Sequence, residues 1–177
     1  AIVTVNLLPV VILSADDTAG CAPLCVDFSD LSTIASGSIT GWSWDFGDST
    51  TSSQQDPTHC YTSPGVYSVE LTVTSATGCS ATLTVGNFIN VFATPIAAFS
   101  YSPQSVTMLN PVVTFSDSSQ GATAWMWNFG DILQSTSTLQ NPTFTYDDAE
   151  CHLITLTATN SGGCVDTTTQ EICIDPE

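Results

Sequence analysis

The 177-residue chain contains no lysine and no arginine. Average usage would place roughly 20 basic residues in a chain of this length, so chance does not account for the gap. Against it stand 17 Asp plus Glu and a formal net charge of −17. Nucleic acid is excluded as a partner of these side chains, because neutralising phosphates takes Lys or Arg. Lys or Arg salt bridges are excluded too, which leaves stability to the core, the backbone ladders and disulfides. A protease that cuts after basic residues finds no site. Nothing approaches the run of about 20 apolar residues that a membrane-spanning helix needs. No Asn-x-Ser/Thr acceptor with a permitted middle residue occurs. The two histidines, His59 and His152, stand alone, and there is no Cys-x-x-Cys pair, so zinc lacks a ligand set. Helical periodicity is missing as well.

What is present is a repeat. Gly41-Trp42-Ser43-Trp44-Asp45-Phe46-Gly47-Asp48 returns as Ala124-Trp125-Met126-Trp127-Asn128-Phe129-Gly130-Asp131. Strand period two puts Trp42, Trp44 and Phe46 on one face. Gly47 then ends the run, where a Cβ would obstruct a turn. Asp56-Pro57-Thr58-His59-Cys60-Tyr61 aligns with Asn141-Pro142-Thr143-Phe144-Thr145-Tyr146, and Gly78-Cys79 with Gly163-Cys164. Val26-Asp27-Phe28-Ser29-Asp30 returns as Val113-Thr114-Phe115-Ser116-Asp117. The Trp motifs lie 83 positions apart and the later landmarks 85, which gives the second copy two extra residues after its Gly-Asp. Four landmarks in one order define an internal duplication. With two copies of about 85 residues, the chain reads as a tandem of small domains and not a solenoid.

These residues resemble the polycystic kidney disease (PKD) repeat: Trp-x-Trp-Asp-Phe-Gly-Asp, then Asp-Pro-Thr-His-x-Tyr, then Pro-Gly-x-Tyr-x-Val-x-Leu-x-Val-Thr from Pro64. The Cys-Ala-Pro-Leu and Phe-Ser-Asp segments resemble forms found in large secreted proteins of the Bacteroidetes. The resemblance implies an all-β fold of two tandem immunoglobulin-like sandwiches belonging to a secreted or surface protein. Copy two departs at Asn128 and over Asp147 to His152, where the Pro-Gly-x-Tyr entry is missing.

Three segments are expected. Residues 9–93 form the first domain and 94–177 the second. Residues 1–8 alternate as a strand and align with residues 87–94, the last strand of the first domain. They read either as the remnant of a preceding domain or as a strand donated to another subunit's sheet edge. Asp16 to Gly20 reads as a turn. Tyr67, Val69, Leu71 and Val73 form the inward face of a long strand, and 81–91 returns beside it.

Seven cysteines indicate an oxidising compartment. A hairpin turn at Asn160 to Gly163 sets Cys151 opposite Cys173, close enough to bridge. Cys21, Cys25, Cys60 and Cys79 allow three connectivities. Cys21–Cys79 with Cys25–Cys60 is favoured, and Cys164 is left unpaired or bonded to another chain.

No catalytic set has motif support, so an enzyme is not expected, and no cofactor is required. His59 reads as a structural hydrogen-bonding group. Calcium is considered at Asp45 and Asp48, at Asp16 and Asp17, or at Asp147, Asp148 and Glu150. The aspartates of the turn more often satisfy backbone amides. Thr18, Ser49 and Thr167 each follow an Asp in a pattern that resembles the short O-glycosylation signal of the Bacteroidetes. The functional expectation is an extracellular, cell-surface structural or adhesive module of a fibre, filament or large adhesin, polymerising by strand pairing through residues 1–8. The alternative is an accessory binding domain of a secreted polysaccharide- or protein-degrading enzyme. Expected partners are neighbouring domains or subunits of the same protein, with polysaccharide or cell-surface glycans for the alternative, and no nucleic acid.

Overall fold

The computed structural model describes residues 7–176, and among them there is no α-helix. The chain divides into two compact units, the first ending at Phe92 and the second opening at Ala93. The leading strand expected over residues 1–8 lies outside the described residues for positions 1–6; Leu7 and Leu8 are exposed and irregular.

Among the described residues the first unit has eight strands: β1 (Leu13–Ala15), β2 (Ala19–Cys21), β3 (Leu24–Asp30), β4 (Ile39–Asp45), β5 (Thr51–Ser52), β6 (Thr58–Tyr61), β7 (Gly65–Ser75) and β8 (Ser80–Phe92). They form one sheet in the order β1-β3-β6 and a second in the order β2-β8-β7-β4-β5. The second unit repeats the plan with β9 (Phe99–Ser102), β10 (Val106–Thr107), β11 (Val112–Asp117), β12 (Ala124–Asn128), β13 (Thr136–Ser137), β14 (Thr143–Thr145), β15 (Cys151–Thr159) and β16 (Val165–Asp175). Its sheets run β14-β11-β9 and β10-β16-β15-β12-β13. Each unit is an immunoglobulin-like β-sandwich.

Period-two patterning builds both cores. Val69, Leu71 and Val73 on β7 are fully buried, and Glu70, Thr72 and Thr74 alternate with them. Trp44 and Phe46 from the Trp strand meet Phe28 from the facing sheet, with ring centroids 5.6 and 5.2 Å from Phe28. Trp127 and Phe129 meet Phe115 in the same way, at 5.4 and 5.5 Å. Burying a Phe side chain fully is worth about 2–3 kcal/mol, so these clusters dominate each small core. On the outer face, the Thr72 and Thr82 hydroxyls pair at 2.7 Å across β7 and β8. Thr157 and Thr167 pair at 3.2 Å across β15 and β16.

One short element differs from expectation. The turn after β1 stops at Thr18, and Ala19–Cys21 runs as a strand parallel to Asn90–Phe92. Ala-Gly-Cys carries no strand propensity of its own; the free edge of β8 organises it.

The cysteine framework needs two corrections. Cys25 and Cys60 face each other on β3 and β6 and are bridged, and Cys151 is bridged to Cys173 across β15 and β16. The Cys21–Cys79 bridge is not formed: Cys79 is a free thiol, and Cys21 is disulfide-bonded without it. Cys21 pairs in register with Phe92 at the far end of β8, whereas Cys79 precedes the first residue of that strand. Thirteen residues of extended chain hold the two positions roughly 40 Å apart. Cys164, expected to be unpaired or bonded to another chain, is disulfide-bonded within this chain.

Candidate functional site

The richest polar cluster lies where the Trp strand ends. Phe46 follows β4, and Gly47 turns the chain at φ +80°. A Cβ on Gly47 would stand 2.4 Å from the Ser68 carbonyl oxygen, so no other residue fits there. The Asp45 carboxylate accepts from the Gly47 amide at 2.8 Å and fixes the turn. The next residue, Asp48, accepts from the Thr50 amide at 3.1 Å and from the Thr50 hydroxyl. Its other oxygen lies 2.8 Å from His59 Nε2. The His59 ring, delivered by β6, stacks on Phe46 with centroids 4.2 Å apart. Burial raises the Asp48 carboxyl, but the hydrogen bonds from Thr50 and His59 together outweigh it and leave it below the usual carboxylate range.

Thr, His and Asp in contact invite comparison with a nucleophilic triad, and the geometry argues against one. In such a triad the imidazole bridges the hydroxyl and the carboxylate through opposite nitrogens. Here the same nitrogen, Nε2, faces both Asp48 and Thr50 Oγ1, the latter at 3.3 Å. The Thr50 hydroxyl donates to Asp48 itself, so its proton is not presented to the ring.

The second unit shows what the cluster does. Phe144 takes the place of His59 and stacks on Phe129 at 4.3 Å. Asp131 turns both oxygens to Ser135, accepting from its amide at 2.6 Å and its hydroxyl at 2.7 Å. Burial raises Asp131 as well, and the Ser135 hydrogen bonds lead the contributions that bring it below its ordinary value. The turn survives without a histidine, so the carboxylate is a loop brace in both units. His152 fills the position of Tyr67: it stacks on Tyr146 at 4.4 Å, as Tyr67 stacks on Tyr61 at 4.5 Å. Its Nε2 lies 2.9 Å from Asp148 Oδ1, but off hydrogen-bond geometry.

The remaining motif residues brace loops in the same manner. Asp56 accepts from the Asp30 amide at 2.8 Å, and Asn141 from the Asp117 amide at 2.8 Å. Asp30 accepts from the Trp42 indole at 2.7 Å and from the Ser32 amide at 3.0 Å. Asp16 accepts from the amides of Asp17 and Asp27, at 2.8 and 2.9 Å. Among the described residues, no group of three or more His, Cys, Asp or Glu side chains is placed to hold a metal ion. Thr18 and Ser49 are exposed, Ser49 in the left-handed region at φ 74°, while the exposed Thr167 carries the hydroxyl paired with Thr157. Two groups escaped the sequence reading. The Tyr61 and Tyr146 hydroxyls lock the Trp strand, and Cys79 is the free thiol. The repeat marked the tyrosine position as wanting a ring but not its hydroxyl's acceptor, and it gave no sign that Cys79 is free, since its counterpart Cys164 is bonded.

Fold, duplication and loop braces define a class of protein: tandem immunoglobulin-like modules whose recurring polar residues hold turns. The PKD domain profile matches residues 6–89 and again 92–174, and the chain belongs to that family. Those matches fill nearly all of the 177 residues and leave no stretch for a separate catalytic domain within them. The chain is 52% identical over 56 residues to a microbial collagenase of Vibrio alginolyticus, covering 32% of this chain and 7% of that protein. To collagenase ColA of Bacillus cereus it is 34% identical over 85 residues, covering 48% of this chain and 9% of that protein. The matched segments thus span under a tenth of either relative. Among solved structures, the PKD1 domain of Vibrio anguillarum Epp is 30% identical, covering 48% of this chain and 96% of that one at a TM-score of 0.43. No helix among the described residues is long and apolar enough to cross a membrane.

Proposed function

We propose that this chain is a non-catalytic structural module of a larger extracellular protein, a stapled pair of domains within a surface fibre, filament or adhesin. The observation that carries the reading is where the aromatics lie. Every Trp, Tyr and Phe of the chain is buried or half-buried. Recognition of sugars by stacking calls for exposed aromatic rings, and protein-binding hot spots are enriched in Trp and Tyr. None is offered, so the rings serve the cores. Cross-strand disulfides fit an oxidising exterior. Polymerisation through residues 1–8 extends this proposal, as does glycosylation at Thr18, Ser49 or Thr167.

A second reading has the relatives in its favour. Collagenases carry segments like this one, so an accessory role beside a secreted enzyme is the alternative. Pull-down on insoluble collagen and polysaccharides, with sedimentation and electron microscopy of the free chain, separates the two. Retention on collagen or polysaccharide with monodisperse monomers overturns the structural reading. Filaments that are lost on deleting residues 1–8 support it.

A further inference from the structure

The loop that follows the Trp strand is built on one plan in both units and dressed differently. In the first unit the Asp48 carboxylate accepts from Thr50, and Ser49 alone lies between them. In the second unit Asp131 accepts from Ser135, so Ile132, Leu133 and Gln134 lie between. The two extra residues of the second copy therefore enlarge this loop. The Gln134 amide donates to the Asp131 carbonyl at 2.9 Å and closes a turn with Ile132 and Leu133 at its corners. Such corners ordinarily take Gly, Pro, Asn, Asp or Ser. Here the two aliphatic side chains are 90% and 79% exposed. Leu153 adds to them. Its carbonyl lies against Gly130, as that of Ser68 lies against Gly47 in the first unit, and its side chain is exposed too. The first unit is complete with Ser49 and Ser68 at these places, so the fold does not require the aliphatics.

Carboxylates flank them. Glu171 is the cross-strand partner of Leu153, and Asp147 and Glu150 are exposed on the loop that leads into β15. That loop reaches the same turn, since His152 Nδ1 lies 3.4 Å from the Gly130 carbonyl oxygen. Two departures of the second copy from the first, the Ile132-Leu133 insertion and the stretch from Asp147 to His152, thus meet at Gly130. We propose that this end of the second unit is a docking surface for a basic protein partner, with Ile132 and Leu133 filling an apolar pocket rimmed by Lys or Arg. Adjacent exposed aliphatics mark an interaction surface. A turn already fixed by hydrogen bonds presents them at little ordering cost. Charge selects the occupant. With no Lys or Arg of its own, the chain offers cations on a partner nothing to repel them beyond a protonated histidine. A second copy would bring another charge of −17, and an anionic lipid surface would be repelled likewise. The surface goes beyond the structural and accessory readings and depends on neither.

The test uses the full protein on the cells that make it, with a photo-reactive benzophenone side chain placed at position 133 and, as control, at position 49. The expected result is an adduct formed from 133 and not from 49. Mass spectrometry should place its other half in a different protein, at an apolar position with Lys or Arg beside it. Unlabelled chain added before illumination should compete for the adduct. The pair Ile132→Ser and Leu133→Ser should compete at least about tenfold less well, because two aliphatic side chains no longer leave water. The pair Glu150→Gln and Glu171→Gln leaves the turn untouched and should also compete less well, which a purely apolar contact would not show. Urea unfolding of the second unit should be unchanged in both pairs. If the serine pair unfolds it, the charge pair decides alone. No adduct specific to 133 overturns the proposal, as does an adduct with lipid, with a second copy of the chain or with a surface lacking basic residues. Full competition by either folded pair overturns it as well.

Discussion

The Tyr61 hydroxyl donates to the Phe46 carbonyl oxygen at 3.1 Å, inside the core, and so ties β6 to the end of the Trp strand. Tyr146 makes the same bond to Phe129 at 3.2 Å. Phe46 and Phe129 sit where the strand ladder has ended and a glycine turn begins. Their carbonyls must find a donor there or remain buried without one.

Replacing Tyr61 or Tyr146 with Phe keeps the ring and deletes the donor. Each substitution is expected to cost about 1–3 kcal/mol, the range for leaving one buried acceptor unpaired. Urea denaturation checks this, and the loss should appear in the transition of the altered unit only. A cost below about 0.5 kcal/mol would show that water replaces the hydroxyl.

Glycine substitutions separate collision from backbone strain. Gly47→Ala meets Ser68 O at 2.4 Å and Gly130→Ala meets Leu153 O at 2.5 Å, both at positive φ. Each is expected to destabilise its unit by more than about 2 kcal/mol. Gly37→Ala has positive φ but open space, and should cost about 1 kcal/mol. Gly86→Ala has neither problem and should be neutral or stabilising by about 0.5 kcal/mol. Equal losses at Gly37 and Gly47 would remove the steric argument.

Both pH limits follow from braced groups. Burial raises Asp117 too, but its hydrogen bonds from Ser119 and Gln140 bring it, like Asp48 and Asp131, below 3.8. A carboxyl titrating lower in the folded state contributes stability that is full above the unfolded value. That contribution disappears as pH falls through the folded value. Burial raises the Tyr61 and Tyr146 phenols above 10.0, so their contribution is full below 10.0 and is lost as pH climbs beyond it. Melting temperature should therefore hold between those limits and fall on both sides. Asp131→Asn should flatten the acid limb of the second unit; an unchanged limb would count against the brace.

Salt should stabilise this protein. With no Lys or Arg, the long-range interactions among its charged side chains are repulsive, apart from those of a protonated histidine. The Debye length shrinks from about 30 Å at 0.01 M salt to about 8 Å at 0.15 M. Melting temperature is expected to rise by a few degrees across that range. A fall would reveal attractive ion pairs, and the two His–Asp contacts are the only candidates among the described residues.

Breaking the bridges should weaken each unit separately. The Cys25–Cys60 loop spans 35 residues and the Cys151–Cys173 loop 22. Double Cys→Ser variants should lose about 2–4 kcal/mol in the affected unit, read from guanidinium unfolding.

Much of this architecture was legible in the sequence because the duplication acts as an internal control. Trp42, Trp44 and Phe46 share a face by simple period, and the Gly47 constraint followed from the turn after them. Hairpin arithmetic placed Cys151 opposite Cys173, since pairing within one hairpin is set by its turn. Cys21 and Cys79 were misjudged because their distance depends on which end of β8 receives β2. That parallel pairing leaves no local trace in Ala-Gly-Cys. The Tyr61 hydroxyl was hidden for a related reason. A motif position shows that a ring is wanted, but its acceptor lies 15 residues away in sequence.

The bridges also divide the chain mechanically. Cys25–Cys60 locks β3 to β6 in one sheet, whereas Cys151–Cys173 clasps the outer end of the terminal hairpin. A pulling force that unravels these units cannot lengthen a segment closed by an intact sulfur link. Loops of 35 and 22 residues, roughly 120 and 75 Å of contour, stay out of reach until a reductant arrives. Extensibility under load would thus be set by the redox chemistry of the surroundings as much as by the strength of the ladders.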